Sequence, residues 1–294
     1  MTTLTRPTFV LCPPDHFDVS YVINPWMDPA AWAKRSDELI AGCRQGWREL
    51  AEALRQAGAD IELLPAAPSV PDMVFTANIG FVLNGVALLA HFRHPERQRE
   101  EPHIARFFDD LLRRRLIDRV LPCPDGLYFE GFGDAVWDAR RQRIWMGHGP
   151  RTSPEMAPHL HDIYGVPITP LELIDPRFYH LDTALCALRG GEVLYVPEAF
   201  NAQGLAAIEA AVDKDRRLIV GEEDAVLLGA NGIPLGNRYI CGGISEGLRR
   251  TLAARGYEVE TPGIAPFRLS GGAAYCLSLR LDHKSAAFAR RQAA

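Results

Sequence analysis

The chain has 294 residues, 47% hydrophobic and 23% charged, with a formal net charge of -5. That composition suits one large or two modest globular domains. With no lysine-rich run it points away from nucleic acid, and no apolar stretch is long enough to span a bilayer.

The six cysteines, at 12, 43, 123, 186, 241 and 276, form no Cys-x-x-Cys pair. Neither a zinc site nor a disulfide framework is therefore expected. The start of the sequence lacks the charged-then-apolar pattern of a signal peptide. We expect a reduced, cytoplasmic protein without metal or cofactor, with a small-molecule substrate and no nucleic-acid or membrane partner; a homo-oligomer is left open. The one dense basic patch, Arg113-Arg114-Arg115, falls at the end of a predicted helix, where cations suit the dipole. The nine histidines include His159-Leu160-His161 but no His-Glu-x-x-His.

In chain order, residues 9–13 read as a short buried strand ending at a proline. The loop Pro13–Met27 that follows is too rich in proline, aspartate and aromatics to be a linker. Within it Asn24 precedes Pro25 and is pushed towards an extended conformation. Residues 30–57 carry helical periodicity, with Trp47, Leu50 and Leu54 on one face, and Ile61–Leu64 is a strand. From here a unit recurs. Val74–Phe92 is a hairpin around Asn84-Gly85, followed by a helix Glu96–Arg115 and a strand at Val120-Leu121. The second copy has a hairpin at Ala135–Met146, a helix from about Ser153 and a strand at Ile168–Leu173. The third has a hairpin at Thr183–Val196, a helix at Ala202–Val212 and a strand at Leu218–Val220. The fourth has a hairpin at Ala225–Ile240, a helix at Glu246–Ala254 and a strand at Val259. The fifth, Gly272–Leu281, needs the N-terminal strand to complete it.

Strand–strand–helix–strand at a spacing of roughly fifty residues is a repeat architecture. Units arranged radially, with first and last closing the ring, remove open sheet ends. Phe75–Asn78, Glu130–Asp134, His180–Asp182 and Gly271–Cys276 all lead their hairpins, so the ring brings them to a shared axis.

Those leading segments carry chemistry. Phe-Glu-Gly-Phe-Gly-Asp (129–134), His180-Leu181-Asp182-Thr183 and the terminal Gly271-Gly272…Cys276 resemble the guanidino-group-modifying superfamily. Its members include arginine deiminases, dimethylarginine dimethylaminohydrolases and amidinotransferases. The resemblance covers essentially the whole chain. It implies a single domain over 1–294 with a five-bladed α/β-propeller (pentein) fold and a Cys-His-carboxylate centre.

The chemistry follows from the residue types. A guanidinium carbon is a poor electrophile, because its charge is delocalised. Attack needs a thiolate, carboxylates to hold the planar cation, and an acid for the departing nitrogen. Cys276 supplies the nucleophile, with a bound cation and His180 favouring its thiolate. His180 protonates the leaving amine and then activates water. Glu130 and Asp182 accept from the guanidinium N–H groups. Asp134 is either a further substrate contact or a brace for its loop. Each residue alone also has a plain reading: Cys276 as a buried core cysteine, His180 as structural, Asp182 as a turn cap. The Gly271-Gly272 pair is expected to let the backbone approach a ligand closely.

The resemblance implies that Arg97 and Arg151, which follow their hairpins, hold the substrate α-carboxylate. Arg151 also sits just before a predicted helix start. The sequence departs from the deiminase pattern at Phe75-Thr76-Ala77-Asn78, where an amide replaces a carboxylate. With Val22-Ile23-Asn24-Pro25-Trp26-Met27 this resembles the arginine dihydrolase branch, which hydrolyses arginine to ornithine, ammonia and carbon dioxide through citrulline. Asn78 and Asn24 then contact substrate, since an amide can donate to citrulline's neutral ureido oxygen. The alternatives are a dimethylarginine dimethylaminohydrolase, a deiminase that stops at citrulline, an amidinotransferase, and last a non-enzymatic binder of the same fold.

Overall fold

The computed structural model describes residues 4–293. Its fifteen strands form five separate three-stranded sheets. Strand β1 (Thr8–Leu11) is followed by helices α1 (Pro29–Ala33) and α2 (Ser36–Gln56) and strand β2 (Asp60–Leu63). The next sheet is built from β3 (Gly80–Leu83), β4 (Val86–Leu89), helices α3 (Pro95–Gln98) and α4 (Glu101–Arg113), and β5 (Arg119–Leu121). Then come β6 (Ala135–Asp138), β7 (Arg143–His148), α5 (Met156–Tyr164) and β8 (Ile168–Glu172). The fourth group is β9 (Leu185–Ala187), β10 (Val193–Tyr195), α6 (Ala202–Ala211) and β11 (Arg217–Ile219). The fifth has helix α7 (Glu222–Ala225), β12 (Ile233–Leu235), β13 (Arg238–Ile240), α8 (Glu246–Ala253) and β14 (Glu258–Glu260). Strand β15 (Leu279–Arg280) and helix α9 (Ala286–Ala293) end the described chain.

Each sheet has the same wiring: an antiparallel pair, then a helix that returns the chain to a parallel third strand. A parallel return needs such a crossover, which is why every unit carries a helix. The sheet built from the two ends of the chain obeys the same rule. In it β1 lies between β15, antiparallel with Phe9 opposite Arg280, and β2, parallel with Leu11 opposite Leu63. The N-terminal strand thus pairs with the last one, as its incomplete partner unit predicts. Helix α2 packs inward along Leu39, Cys43, Gly46, Leu50 and Leu54, with Trp47 at the margin of that face.

Four expectations need correction. The helix read over Glu96–Arg115 is two, α3 and α4, because Pro102 lacks the amide hydrogen needed to continue a helix from α3. The fourth hairpin does not begin at Ala225: α7 and a run of turns occupy residues 222–230, and its strands are three residues each. The residues leading the first three hairpins lie in single 3-10 turns, Thr76–Ile79, Gly131–Gly133 and Leu181–Thr183, not in the strands themselves. Cys276 likewise sits in a turn that precedes β15. Among the described residues no helix is long and apolar enough to cross a membrane.

Candidate active site

The turns that lead the hairpins converge. Ala77 donates its amide to the Cys276 carbonyl at 3.0 Å, which ties the first hairpin to the last. A Cβ at Gly133 would lie 2.3 Å from Asn78 Nδ2 and 3.3 Å from the His180 ring. Glycine there is what lets Asn78 and His180 meet across the turn, and their side chains stand 3.5 Å apart.

His180 is fully buried, and its Nε2 lies 2.7 Å from Glu130 Oε2. Arg151 donates to the same oxygen at 3.1 Å, and the Arg93 amide reaches Glu130 Oε1 at 3.2 Å. Burial pushes the Glu130 carboxyl up, but Arg151, then His180 and Arg97, outweigh it and hold it well below the usual carboxylate range. Burial also lowers His180 to about 4, against the pull of Glu130 and with the help of Arg151 and Arg97. The pair therefore rests as carboxylate and neutral imidazole. The strong acceptor at Nε2 assigns the proton there, which leaves Nδ1 as the free base facing the Asn78 amide.

Asn78 is fixed in its orientation because Arg97 Nη1 donates to its Oδ1 at 2.7 Å. Arg97 in turn makes a two-pronged pair with Glu100 at 2.8 and 2.9 Å and donates to the Asp72 carbonyl. Its guanidinium also lies over the Phe92 ring. The expectation that Arg97 grips a substrate carboxylate meets a side chain already paired inside the protein. Arg151 is also paired inside the protein, yet it borders a cavity. It joins Glu130 to the Ile23 carbonyl, lies over the Tyr179 ring, and lines a cavity of about 240 Å³ with Asn24 and His94. For Asp134, expected as either a substrate contact or a brace, both oxygens are held by the protein, Oδ2 by Thr152 at 2.7 Å and Oδ1 by the Leu181 amide at 3.0 Å. It braces the loop that carries His180 and Asp182.

Cys276 is buried, with its Sγ 3.1 Å from Asp182 Oδ2. The other oxygen, Asp182 Oδ1, is buried with no hydrogen-bond partner among the described residues. A buried carboxylate oxygen without a donor is costly and marks a place for an arriving one. Burial raises Asp182 to about 7, although the Cys276 thiol, Asn231 and the Thr183 amide oppose it. Burial and the neighbouring Asp182 push the Cys276 thiol well above its usual value. The resting site thus holds a protonated thiol donating to Asp182. His180 is neutral, so it supplies no imidazolium to favour the thiolate; a cation beside Asp182 is what can reverse the field.

Asn24 reaches the site indirectly. Its Nδ2 donates to the Ser270 carbonyl at 3.0 Å and its Oδ1 accepts from the Trp26 amide at 2.9 Å. It fastens the Pro13–Met27 loop to the segment before Cys276 and lines the 240 Å³ cavity. The Gly271-Gly272 pair permits close approach of protein, not of ligand. Gly271 has φ +87, and a Cβ there would lie 2.6 Å from Tyr179 Oη, while one at Gly272 would lie 2.4 Å from the Phe75 ring.

Sequence reasoning missed Asn231. Its Oδ1 accepts from the amides of Ala273 and Cys276, and its Nδ2 donates to the Asp182 carbonyl and to the Cys276 thiol. The signal was present: Ala230-Asn231 leads the fourth hairpin as Ala77-Asn78 leads the first. Asp72 was also missed. It is a buried carboxylate that accepts from Tyr21 Oη and Ser270 Oγ and couples the N-terminal loop to the cysteine segment. Among the described residues no group of three or more His, Cys, Asp or Glu is placed to hold a metal ion.

Residues 16–237 match the family model described as N,N dimethylarginine dimethylhydrolase, eukaryotic. The chain is 38% identical over 272 residues to the bifunctional arginine dihydrolase/ornithine cyclodeaminase ArgZ of Synechocystis sp.; this covers 92% of this chain and 37% of that protein. The chain thus spans well under half the length of that relative. It is 31% identical over 273 residues to the N(G),N(G)-dimethylarginine dimethylaminohydrolase of Mycobacterium tuberculosis, covering 93% of this chain and 85% of that one. A crystal structure of the N-terminal domain of ArgZ, an asparagine-to-serine variant covalently bonded to a reaction intermediate, is similar with a TM-score of 0.86 and 35% identity. That match covers 95% of this chain and 98% of the other.

Proposed function

The chain belongs to the dimethylarginine dimethylaminohydrolase family of guanidino-group hydrolases, and we propose that it is a cysteine-dependent arginine dihydrolase. One observation carries the reading: the Cys276 thiol lies 3.1 Å from Asp182, whose other oxygen is buried and unpartnered, and the site's further position facing His180 is held by the uncharged Asn78.

The guanidinium of arginine donates to Asp182 Oδ1, and its charge lowers the thiol's pKa from its raised resting value. Cys276 Sγ attacks the guanidino carbon. The thiol proton passes through His180 to the departing nitrogen, which leaves as ammonia. His180 Nδ1 then takes a proton from water, hydroxide attacks the carbon, and the C–S bond breaks to give citrulline and the free thiol. Glu130 acts as a positioning residue that fixes the His180 tautomer. Arg151, at the cavity shared with Asn24, holds the substrate α-carboxylate.

Citrulline is neutral at the reacting end. A carboxylate at position 78 would face its ureido oxygen with no donor, whereas Asn78 presents an N–H. Retained citrulline is therefore open to a second attack by Cys276. A second ammonia leaves, and water releases a carbamate that decomposes to ornithine and carbon dioxide. Two waters are consumed per arginine and two ammonia molecules are released.

We read the five sheets as the blades of a closed five-bladed propeller over residues 1–294, one domain with the site on its axis. The shared wiring and the β1–β15 pairing support this. A second reading, a dimethylarginine dimethylaminohydrolase, is favoured by the family match over residues 16–237. Incubating the purified protein with L-arginine and with methylated arginine, and resolving products by mass spectrometry, separates the two. Ornithine with two ammonia per arginine supports the dihydrolase. Consumption of the methylated compound alone supports the second reading. Cys276→Ser is expected to abolish turnover while the fold is kept.

A further inference from the structure

A cavity of about 470 Å³ has none of the catalytic side chains in its lining. It is lined by residues farther along the same strands whose leading turns build the active site: Val136 and Trp137 of β6, Cys186 and Ala187 of β9, and Ile233–Leu235 of β12. Asp134 and Trp137 are three residues apart on one such segment, so the two regions are separated by about 10 Å. Tyr275, which lines the cavity, adjoins Cys276 in the chain.

The cavity's polar side chains are neutral or cationic. Tyr275 Oη, Trp137 Nε1 and the His283 ring have no hydrogen-bond partner among the described residues, and all three line the space. No aspartate or glutamate lines it, whereas Arg140, Arg189 and Arg280 do. Arg280 is paired with Asp282 at 2.9 Å by two contacts. Arg140 and Arg189 are exposed at the rim and have neither an ion pair nor a hydrogen bond among the described residues. The remaining wall is apolar and aromatic, from Phe9, Phe132 and Leu235.

We propose that this cavity is a second binding site for an amphipathic organic anion, with its apolar body against the aromatic wall and its acidic group at Arg140 and Arg189. A guanidine substrate is the wrong occupant, since no carboxylate meets its cation. A small, highly charged phosphate would leave the apolar wall in contact with water, whereas a carboxylate or sulfonate on a hydrocarbon body satisfies both regions.

The test uses the fluorescent probe 8-anilinonaphthalene-1-sulfonate with the whole chain. Saturable binding at one site per chain is expected. The double variant Arg140→Ala/Arg189→Ala should weaken it at least tenfold, and Arg140→Lys/Arg189→Lys, which keeps the charge, should retain it. Ala139→Trp, at an exposed position on the lining, should block entry. Octanoate should displace the probe at a concentration at least tenfold lower than octanamide. L-Arginine at concentrations that saturate turnover should leave the probe bound. Absence of saturable binding, indifference to the alanine and tryptophan variants, loss in the lysine variant, equal displacement by the amide, or displacement by arginine would each overturn the proposal.

Discussion

Asn231 holds Cys276 from two sides: its Oδ1 accepts the Cys276 amide at 3.2 Å, and its Nδ2 donates to the Cys276 thiol at 3.1 Å. The same side chain anchors Ala273 and the Asp182 carbonyl. It thereby sets the distance between nucleophile and carboxylate. Asn231→Ala leaves two buried amides without an acceptor, at a cost of about 1–3 kcal/mol each. We expect a lower melting temperature and a kcat reduced at least tenfold, with a smaller change in KM. An unchanged kcat in a folded variant would remove Asn231 from the positioning of Cys276.

Asn78→Asp should make citrulline accumulate from arginine. The carboxylate keeps the contact to Arg97, now made by Asn78 Oδ1 at 2.7 Å, but cannot donate to a ureido oxygen. One lost donor to a buried polar group costs ~1–3 kcal/mol, or about one to two decades in the second hydrolysis. Time courses of citrulline and ornithine by mass spectrometry check this. Equal slowing of both steps would argue against a special role for the amide.

The His180–Glu130 pair makes a signed prediction for stability. Burial lowers His180 from 6.5 to about 4, so the folded state binds fewer protons than the unfolded state between those values. Its contribution is present in full above about pH 6.5 and is lost as pH falls through about 4, worth about 3 kcal/mol in all. Glu130, held below the usual range, adds the same sign at lower pH. Glu100 and Asp182, each raised to about 7, act in the opposite direction. The comparison of wild type with His180→Gln isolates the histidine. Melting temperature should fall more steeply between pH 6.5 and 4.5 in wild type than in the variant. Parallel curves would contradict a neutral buried His180.

Removing residues 1–12 deletes β1, the central strand of its sheet, and leaves β15 and β2 without their shared partner. Two unpaired edges and the loss of the buried Phe9 and Leu11 side chains should unfold the protein, not fray it. Circular dichroism should show loss of a cooperative melt. A truncated chain with a native-like melt would oppose the closed ring.

The recurrence of hairpin, helix and strand made the five sheets legible, because each unit repeats its own periodicity and turn residues. Glu130, His180 and Cys276 could be grouped for the same reason: each leads its hairpin. What stayed hidden was long-range pairing. Nothing local to Arg97 says that its guanidinium will donate to Asn78 Oδ1, 19 residues away, and to the Asp72 carbonyl. Nothing local to Asn24 names Ser270, 246 residues away, as its acceptor. Asn231 was lost for a different reason: a hairpin begun at Ala225 buries it inside a supposed strand, whereas turns occupy residues 226–230. The Gly271-Gly272 pair was read correctly as a close approach, but Tyr179 and Phe75 are what approach.

The claim that one cysteine attacks twice is tested most directly with citrulline labelled with carbon-13 at the ureido carbon. Supplied alone to the wild-type protein, it should give ornithine, ammonia and labelled carbon dioxide in equal amounts, with Cys276→Ser giving none. Citrulline recovered intact, while arginine is converted to citrulline in the same preparation, would contradict the dihydrolase account.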